Sequence, residues 1–258
     1  MNPEHHSSAR RSLRLVTLDS PSFSLEDRTL KIEEFKHLRA FLLGVYLAEA
    51  SPVSVPADRL QREFWPDIPD GRRQGLQTTV SRLRRCFRYL VPDETLSNPV
   101  VYRKQAYSLA SFLEPEVDAL EFERLHMSGL AAYENRDFGD AKGLWERASG
   151  VYHYDFLEGF TGTWVRSRRA LLLEKLVEIF EKLAVLSKAP DESLSYYRRG
   201  LDAKPEWEAG QLGALRCLIE LGCNEDARAQ FRRYEASMRE RGQGVSVAVA
   251  RFVHLNLL

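Results

Sequence analysis

Three short stretches near the start of the chain, Leu13–Leu18, Ser22–Leu25 and Thr29–Ile32, alternate apolar and polar positions with a period near two. Pro21 and Asp27-Arg28 separate them. This alternation predicts a small antiparallel meander with one face in a core. The period then lengthens. Glu34–Ala50 sets Phe35, Leu38, Phe41, Leu42, Val45 and Tyr46 on one helical stripe, and Ser51-Pro52 ends it. A second helix is expected over Ala57–Phe64, with Leu60 and Phe64 inward and Pro56 suited to its first turn. Trp65 to Gly71 (WPDIPDG) cannot continue a helix and reads as a loop, with Trp65 as a plug between that loop and the sheet. A third helix, Arg72–Leu90, carries Leu76, Val80, Leu83, Phe87 and Leu90 in steps of four and three, a narrow apolar stripe. Val100–Tyr102 and Ala106–Leu109 then form a two-strand hairpin with Arg103-Lys104-Gln105 near its turn. Strands, three helices and a hairpin, in that order, describe a winged helix-turn-helix.

Beyond Pro115 the pattern is helical almost throughout. Helices are expected at 118–135, 138–152, 164–186, 192–203, 206–221, 224–241 and 247–257, separated by Asp137, Gly139, Gly159, Gly162, Pro190, Pro205, Gly222, Gly242 and Gly244. Three of them share one shape. Ala141, Leu144, Trp145 and Ala148 in the first correspond to Leu194, Tyr197 and Gly200 in the second and to Ala227 and Phe231 in the third. Leu194 and Ala227 stand 33 residues apart, near the period of about 34 of tetratricopeptide arrays. Ala141 and Leu194 stand 53 apart, so an insertion interrupts the array. The fold class that follows is mainly α with a small N-terminal β component: a tail over 1–12, a winged helix over 13–112 and an all-α repeat domain over 113–258.

At 258 residues the chain has room for two domains. Its formal charge of zero hides an asymmetry. Residues 1–110 carry 17 Lys and Arg against 13 Asp and Glu, a net of +4, and the remainder carries −4. From Gly71 to Val91 there are six arginines and no acid. No apolar run is long enough for a membrane span, and the polar, basic MNPEHHSSARR start lacks the apolar stretch of a signal peptide, so a cytoplasmic location is expected. Cys86, Cys217 and Cys223 fit neither a C-x-x-C pair nor a disulfide framework.

The side of the third helix opposite its apolar stripe carries Gln74, Thr78, Ser81, Arg82, Arg85 and Arg88. A helix fits the major groove, where Arg can bridge guanine O6 and N7 and Gln can pair with adenine. Gln74, Thr78, Ser81, Arg82 and Arg85 are therefore candidates for reading bases. Arg72, Arg73, Arg84 and Arg88 suit phosphates, as do Arg103 and Lys104 at the hairpin tip. A solvated helix face is the bland alternative. The absence of acids over some 20 residues and the surrounding helix order favour DNA.

Other chemistry is not legible. His5 and His6 sit in a polar tail, and His37, His126, His153 and His254 are scattered without ligand spacing, so no metal is expected. Gly159 and Gly162 do not form a phosphate loop. No Ser-His-Asp or Cys-His arrangement is present, so no catalytic residue, cofactor or enzyme activity is expected. Trp145, Trp164 and Trp207 read as core anchors rather than as a ligand groove.

Several strings are specific. They are Leu60 to Pro66 (L-x-x-x-F-W-P), Gly75 to Arg85 (GLQTTVSRLRR), Tyr107-Ser108-Leu109 and Val117-Asp118-x-x-x-Phe122. Tyr152-x-x-Asp155-Phe156-Leu157-Glu158-Gly159, Trp164, Arg169–Leu171, Lys204-Pro205-x-x-Glu208 and Leu221-Gly222 complete the set. On these the chain, from about residue 13 to 256, resembles the Streptomyces antibiotic regulatory proteins. These join an OmpR-type winged helix to a bacterial transcriptional activator domain. The resemblance implies sequence-specific binding to direct repeats in promoters, a homodimer on double-stranded DNA, and contact with the sigma or alpha subunit of RNA polymerase. It also points to Thr78, Arg82 and Arg85 as base readers. The chain departs from the family pattern at Gly75 (usually Asn), Ala106 (usually Gly) and Tyr154 (usually Gly). A protein-interaction adaptor with a vestigial DNA-binding domain, or the effector module of a larger sensor, is the alternative reading.

Overall fold

In the computed structural model of the chain, residues 10–66, 74–91 and 98–257 are described, of Gln74 the backbone alone. The tail histidines and the greater part of the loop before the third helix lie outside them. The chain forms two compact units. One comprises the residues up to Glu121 together with His153–Arg169; the other comprises Phe122–Tyr152 and Ala170–Leu258.

The first unit opens with β1 (Arg11–Val16), β2 (Ser22–Leu25) and β3 (Arg28–Lys31), the expected meander. Leu13, Leu15, Phe23, Leu25 and Leu30 turn into the core. A 3-10 turn, Ile32–Glu34, follows, in which the Glu34 carboxylate accepts the Lys31 N–H at 2.7 Å. That turn delays α1 to Leu38–Ala50, later than the expected start at Glu34. The expected stripe on α1 is also corrected. Leu38 is 54% exposed, whereas Leu43, Gly44, Leu47 and Ala48 are buried beside Phe41, Val45 and Tyr46. The helix is central: α3 (Gln74–Leu90), β6 (Ala106–Leu109) and β7 (Leu113–Val117) all contact it, so it hides several faces instead of one. The second helix, α2, spans Ala57–Phe64 as expected, with Pro56 as its N-cap.

Two strands escape the sequence pattern. β4 (Val55–Pro56) pairs with β6, giving a three-stranded sheet in the order β4-β6-β5, where β5 is Val100–Arg103. β7 pairs in parallel with β1, Leu13 opposite Pro115, and completes a four-stranded sheet in the order β3-β2-β1-β7. Pro115 is tolerated because β7 is an edge strand with one neighbour.

The boundary drawn between residues 112 and 113 is not followed by these units. β7 belongs to the sheet of the first, and so does the segment 153–169. Thr17 and Leu18, both fully buried, show why. Their N–H groups donate to the Asp118 carboxylate at 2.8–2.9 Å. Their carbonyls accept the N–H groups of Leu157 and Tyr154 at 2.9 Å. Four buried backbone groups that would otherwise be orphaned are thus satisfied by two later segments. Trp164 then packs edge-on against Tyr46 at 5.0 Å and Phe156 at 5.7 Å, and Arg168 pairs with Glu49 at 2.9 Å.

The second unit is all helical. It takes α4 (Asp118–Glu134) from Phe122 onward, α5 (Phe138–Val151), the part of α6 (Thr163–Leu186) after Arg169, and α7 (Pro190–Ala203). Then follow α8 (Glu208–Glu220), α9 (Asn224–Glu240) and α10 (Val247–Asn256). The repeated small residues sit at helix contacts as expected: Ala141 and Ala227 are fully buried. A Cβ on Gly129 would lie 2.4 Å from the Trp145 indole, and one on Gly213 would lie 2.3 Å from the Tyr197 ring. The interruption between Ala141 and Leu194 contains the segment that belongs to the first unit. Trp145 and Trp207 are buried anchors here. No described helix is long and apolar enough to cross a membrane.

Candidate nucleic-acid interface

Helix α3 is built from its buried side outward. Leu76, Val80, Leu83, Phe87 and Leu90 are each at most 2% exposed, so the apolar stripe is fully used by the core. At a period of 3.6 this fixes the helix rotation and turns Thr78, Ser81, Arg82, Arg85 and Arg88 to solvent. Arg82, Arg85 and Arg88 make no hydrogen bond or ion pair with any described residue. Cys86, on the flank, is half-buried, and that burial pushes its thiol pKa up against the opposing charge of Arg85. Arg72, Arg73 and the Gln74 side chain lie outside the described residues.

The hairpin stands beside this helix. β5 and β6 pair Val100 with Leu109 and Arg103 with Ala106, leaving a two-residue turn at Lys104 and Gln105. Both turn residues have left-handed backbones, φ 47° and 60°, as a type I′ turn requires. Arg103 and Lys104 are exposed at the tip. Tyr102, 45% exposed, stacks on Tyr107 at 4.6 Å.

One expected phosphate contact is reassigned. Arg84 is half-buried, and its Nε and Nη2 both donate to the Val100 carbonyl at 3.0 and 2.8 Å. It ties the hairpin to the helix. Sequence spacing could not reveal this, because the acceptor is a backbone carbonyl 16 residues away. Arg28 was likewise not singled out. It reaches from β3 to the end of α3, where its Nη1 donates to the Tyr89 carbonyl at 2.9 Å and its guanidinium lies over the Tyr89 ring. A cation there complements the negative end of the helix.

Two departures from the family pattern find their physical place. A Cβ on Gly75 would meet the Trp65 indole at 3.0 Å, so the plug residue packs on α3. Arg39 of α1 covers the same indole at 5.4 Å. Ala106 sits in an ordinary strand, paired with Arg103 and Pro56.

The family model for the bacterial transcriptional activator domain matches residues 117–251. The chain belongs to the bacterial transcriptional activator domain family. Among solved structures, Mycobacterium tuberculosis EmbR in complex with a low-affinity phosphopeptide shares the fold, with a TM-score of 0.68 and 16% identity over 90% of this chain. The chain spans 61% of the length of that structure. No curated protein is similar enough in sequence to be matched. The activator-domain match begins at the last residue of β7, ends inside α10, and includes the segment packed in the first unit. This activator-domain chain therefore combines an N-terminal winged-helix arrangement with a helical repeat domain. Among the described residues no group of three or more His, Cys, Asp or Glu could hold a metal ion.

Proposed function

We propose that the chain is a sequence-specific DNA-binding activator of transcription and has no enzymatic activity. The observation that carries this reading is the exposed row Arg82, Arg85 and Arg88 on α3, opposite a stripe wholly taken up by the core, with Arg103 and Lys104 on the hairpin that Arg84 ties to the same helix. A cationic helix in this setting suits the major groove, and a cationic hairpin tip suits the neighbouring backbone or minor groove. Thr78, Ser81, Arg82, Arg85 and Gln74 read bases; Arg88, Arg103, Lys104, Arg72 and Arg73 contact phosphates. The family resemblance supports binding as a homodimer on direct repeats, with the helical domain contacting the sigma or alpha subunit of RNA polymerase, in the cytoplasm.

A mobility-shift assay with genomic fragments at two salt concentrations tests this reading. A specific complex that weakens steeply with salt is expected. Absence of a specific complex, or indifference to salt, counts against it. Selection of bound sequences from a random duplex pool then identifies the element.

A further inference from the structure

We propose that the groove between α7, α8 and α9 is a docking site for an acidic peptide segment of a partner protein. It lies within the second unit and is independent of the duplex reading. The groove encloses about 320 Å³ and is lined by Arg198, Asp202, Gln211, Gln230, Arg233 and Tyr234, among others. Its floor is rigid. Gln211 is 3% exposed, donates through Nε2 to the Pro205 carbonyl at 3.0 Å, and accepts the Gln230 amide at 3.0 Å. Tyr234 is 2% exposed, and its hydroxyl accepts the Ser246 N–H at 3.3 Å.

The two arginines on the rim are exposed, and neither pairs with an acid among the described residues. Several other cations of this unit do pair with acids: Lys142 with Glu192, Lys175 with Glu123, Arg228 with Glu225 and Arg241 with Glu206. Two unmatched guanidinium groups facing one groove from separate helices suit carboxylates, which they can clamp through paired N–H donors. Asp202, on the same rim, forms no ion pair with either arginine. Its carboxylate can accept a peptide N–H. The polar lining and modest volume fit an extended segment carrying one or two carboxylates.

The test uses the full chain and a fluorescein-labelled octapeptide alternating aspartate and leucine, with its asparagine counterpart as control. Fluorescence anisotropy should show binding of the acidic peptide that weakens with salt, and much weaker binding of the asparagine peptide. Arg198→Ala with Arg233→Ala should weaken binding roughly tenfold, and the Lys pair at the same positions should recover part of it. Arg232→Ala with Arg239→Ala, exposed on α9 outside the groove, should change nothing. The proposal is overturned if the native chain does not bind the acidic peptide or binds both peptides alike. It is equally overturned if the control pair loses as much as the groove pair, or if duplex DNA competes only when Arg198 and Arg233 are present.

Discussion

Arg84 and Val100 are joined by a forked hydrogen bond, Nε and Nη2 of the guanidinium on one carbonyl oxygen at 3.0 and 2.8 Å. The bond makes the hairpin and α3 one surface, so cations on the two elements act from a fixed relative position. It also separates Arg84 from its neighbours in the S-R-L-R-R string. Arg82 and Arg85 face solvent on the same helix.

Substitution at these positions should therefore give different signatures. Arg82→Ala should cost about 1 to 3 kcal/mol of duplex binding and relax the preference at one base position. Arg88→Ala should weaken binding evenly across sequences and lower the slope of binding against salt by about one. Arg84→Ala should instead lower the unfolding free energy, by about 1 kcal/mol for a half-exposed charged donor, with a smaller effect on the salt slope. Salt titrations of binding and urea unfolding of the three variants would separate them. A stability loss in Arg82→Ala equal to that in Arg84→Ala would contradict the assignment.

Local periodicity explains how much of this was legible. The stripe on α3 uses one narrow face, so its rotation, and with it the exposed arginines, followed from spacing alone. Helix α1 contacts several elements, and a one-stripe pattern misplaced Leu38 and overlooked Leu43 and Leu47. β7 was hidden because its partner β1 lies about 100 residues earlier and Pro115 argues against a strand unless the strand is at an edge. The return of residues 153–169 leaves no local trace either. Its anchors are backbone groups of Thr17 and Leu18, which carry no side-chain signature.

Those anchors make the Asp118 carboxylate a strong stability determinant. It accepts the N–H groups of Thr17 and Leu18 and the Thr17 hydroxyl. Asp118→Ala would strand three buried donors and should lower the unfolding free energy by about 2 to 4 kcal/mol. Asp118→Asn keeps an acceptor and should lose less. Urea denaturation of both variants measures this, and an alanine variant as stable as the native chain would refute the accounting.

The hairpin tip stores strain that can be relieved. Lys104 and Gln105 both occupy left-handed backbone conformations, which non-glycine residues adopt at a cost of about 1 kcal/mol or more each. Replacing them by Asn and Gly, the residues that a type I′ turn favours, should raise stability by about 1 kcal/mol. The same change removes one cation and should lower the salt slope of duplex binding by about one. A gain in stability together with a shallower slope is the expected pair of results. A loss of stability would mean that the turn is not of this type.

His126 makes the stability of the helical unit sensitive to acid. Its ring is 3% exposed, its Nε2 lies 3.0 Å from the Glu178 carboxylate, and its Nδ1 has no partner among the described residues. Burial lowers its pKa below the ordinary 6.5, and this outweighs the opposing pull of Glu178. The folded chain thus binds fewer protons at this site than the unfolded chain in the window below 6.5, so stability rises with pH there. The stabilisation is complete above the unfolded value and is lost as pH falls toward the folded one. His126→Gln keeps a polar group that can meet Glu178 but cannot titrate. Thermal unfolding followed between about pH 7.5 and about pH 5 should show the native chain losing stability faster than the variant, with the two curves converging on acidification. Parallel curves for the two proteins would show that this imidazole does not set the acid limit.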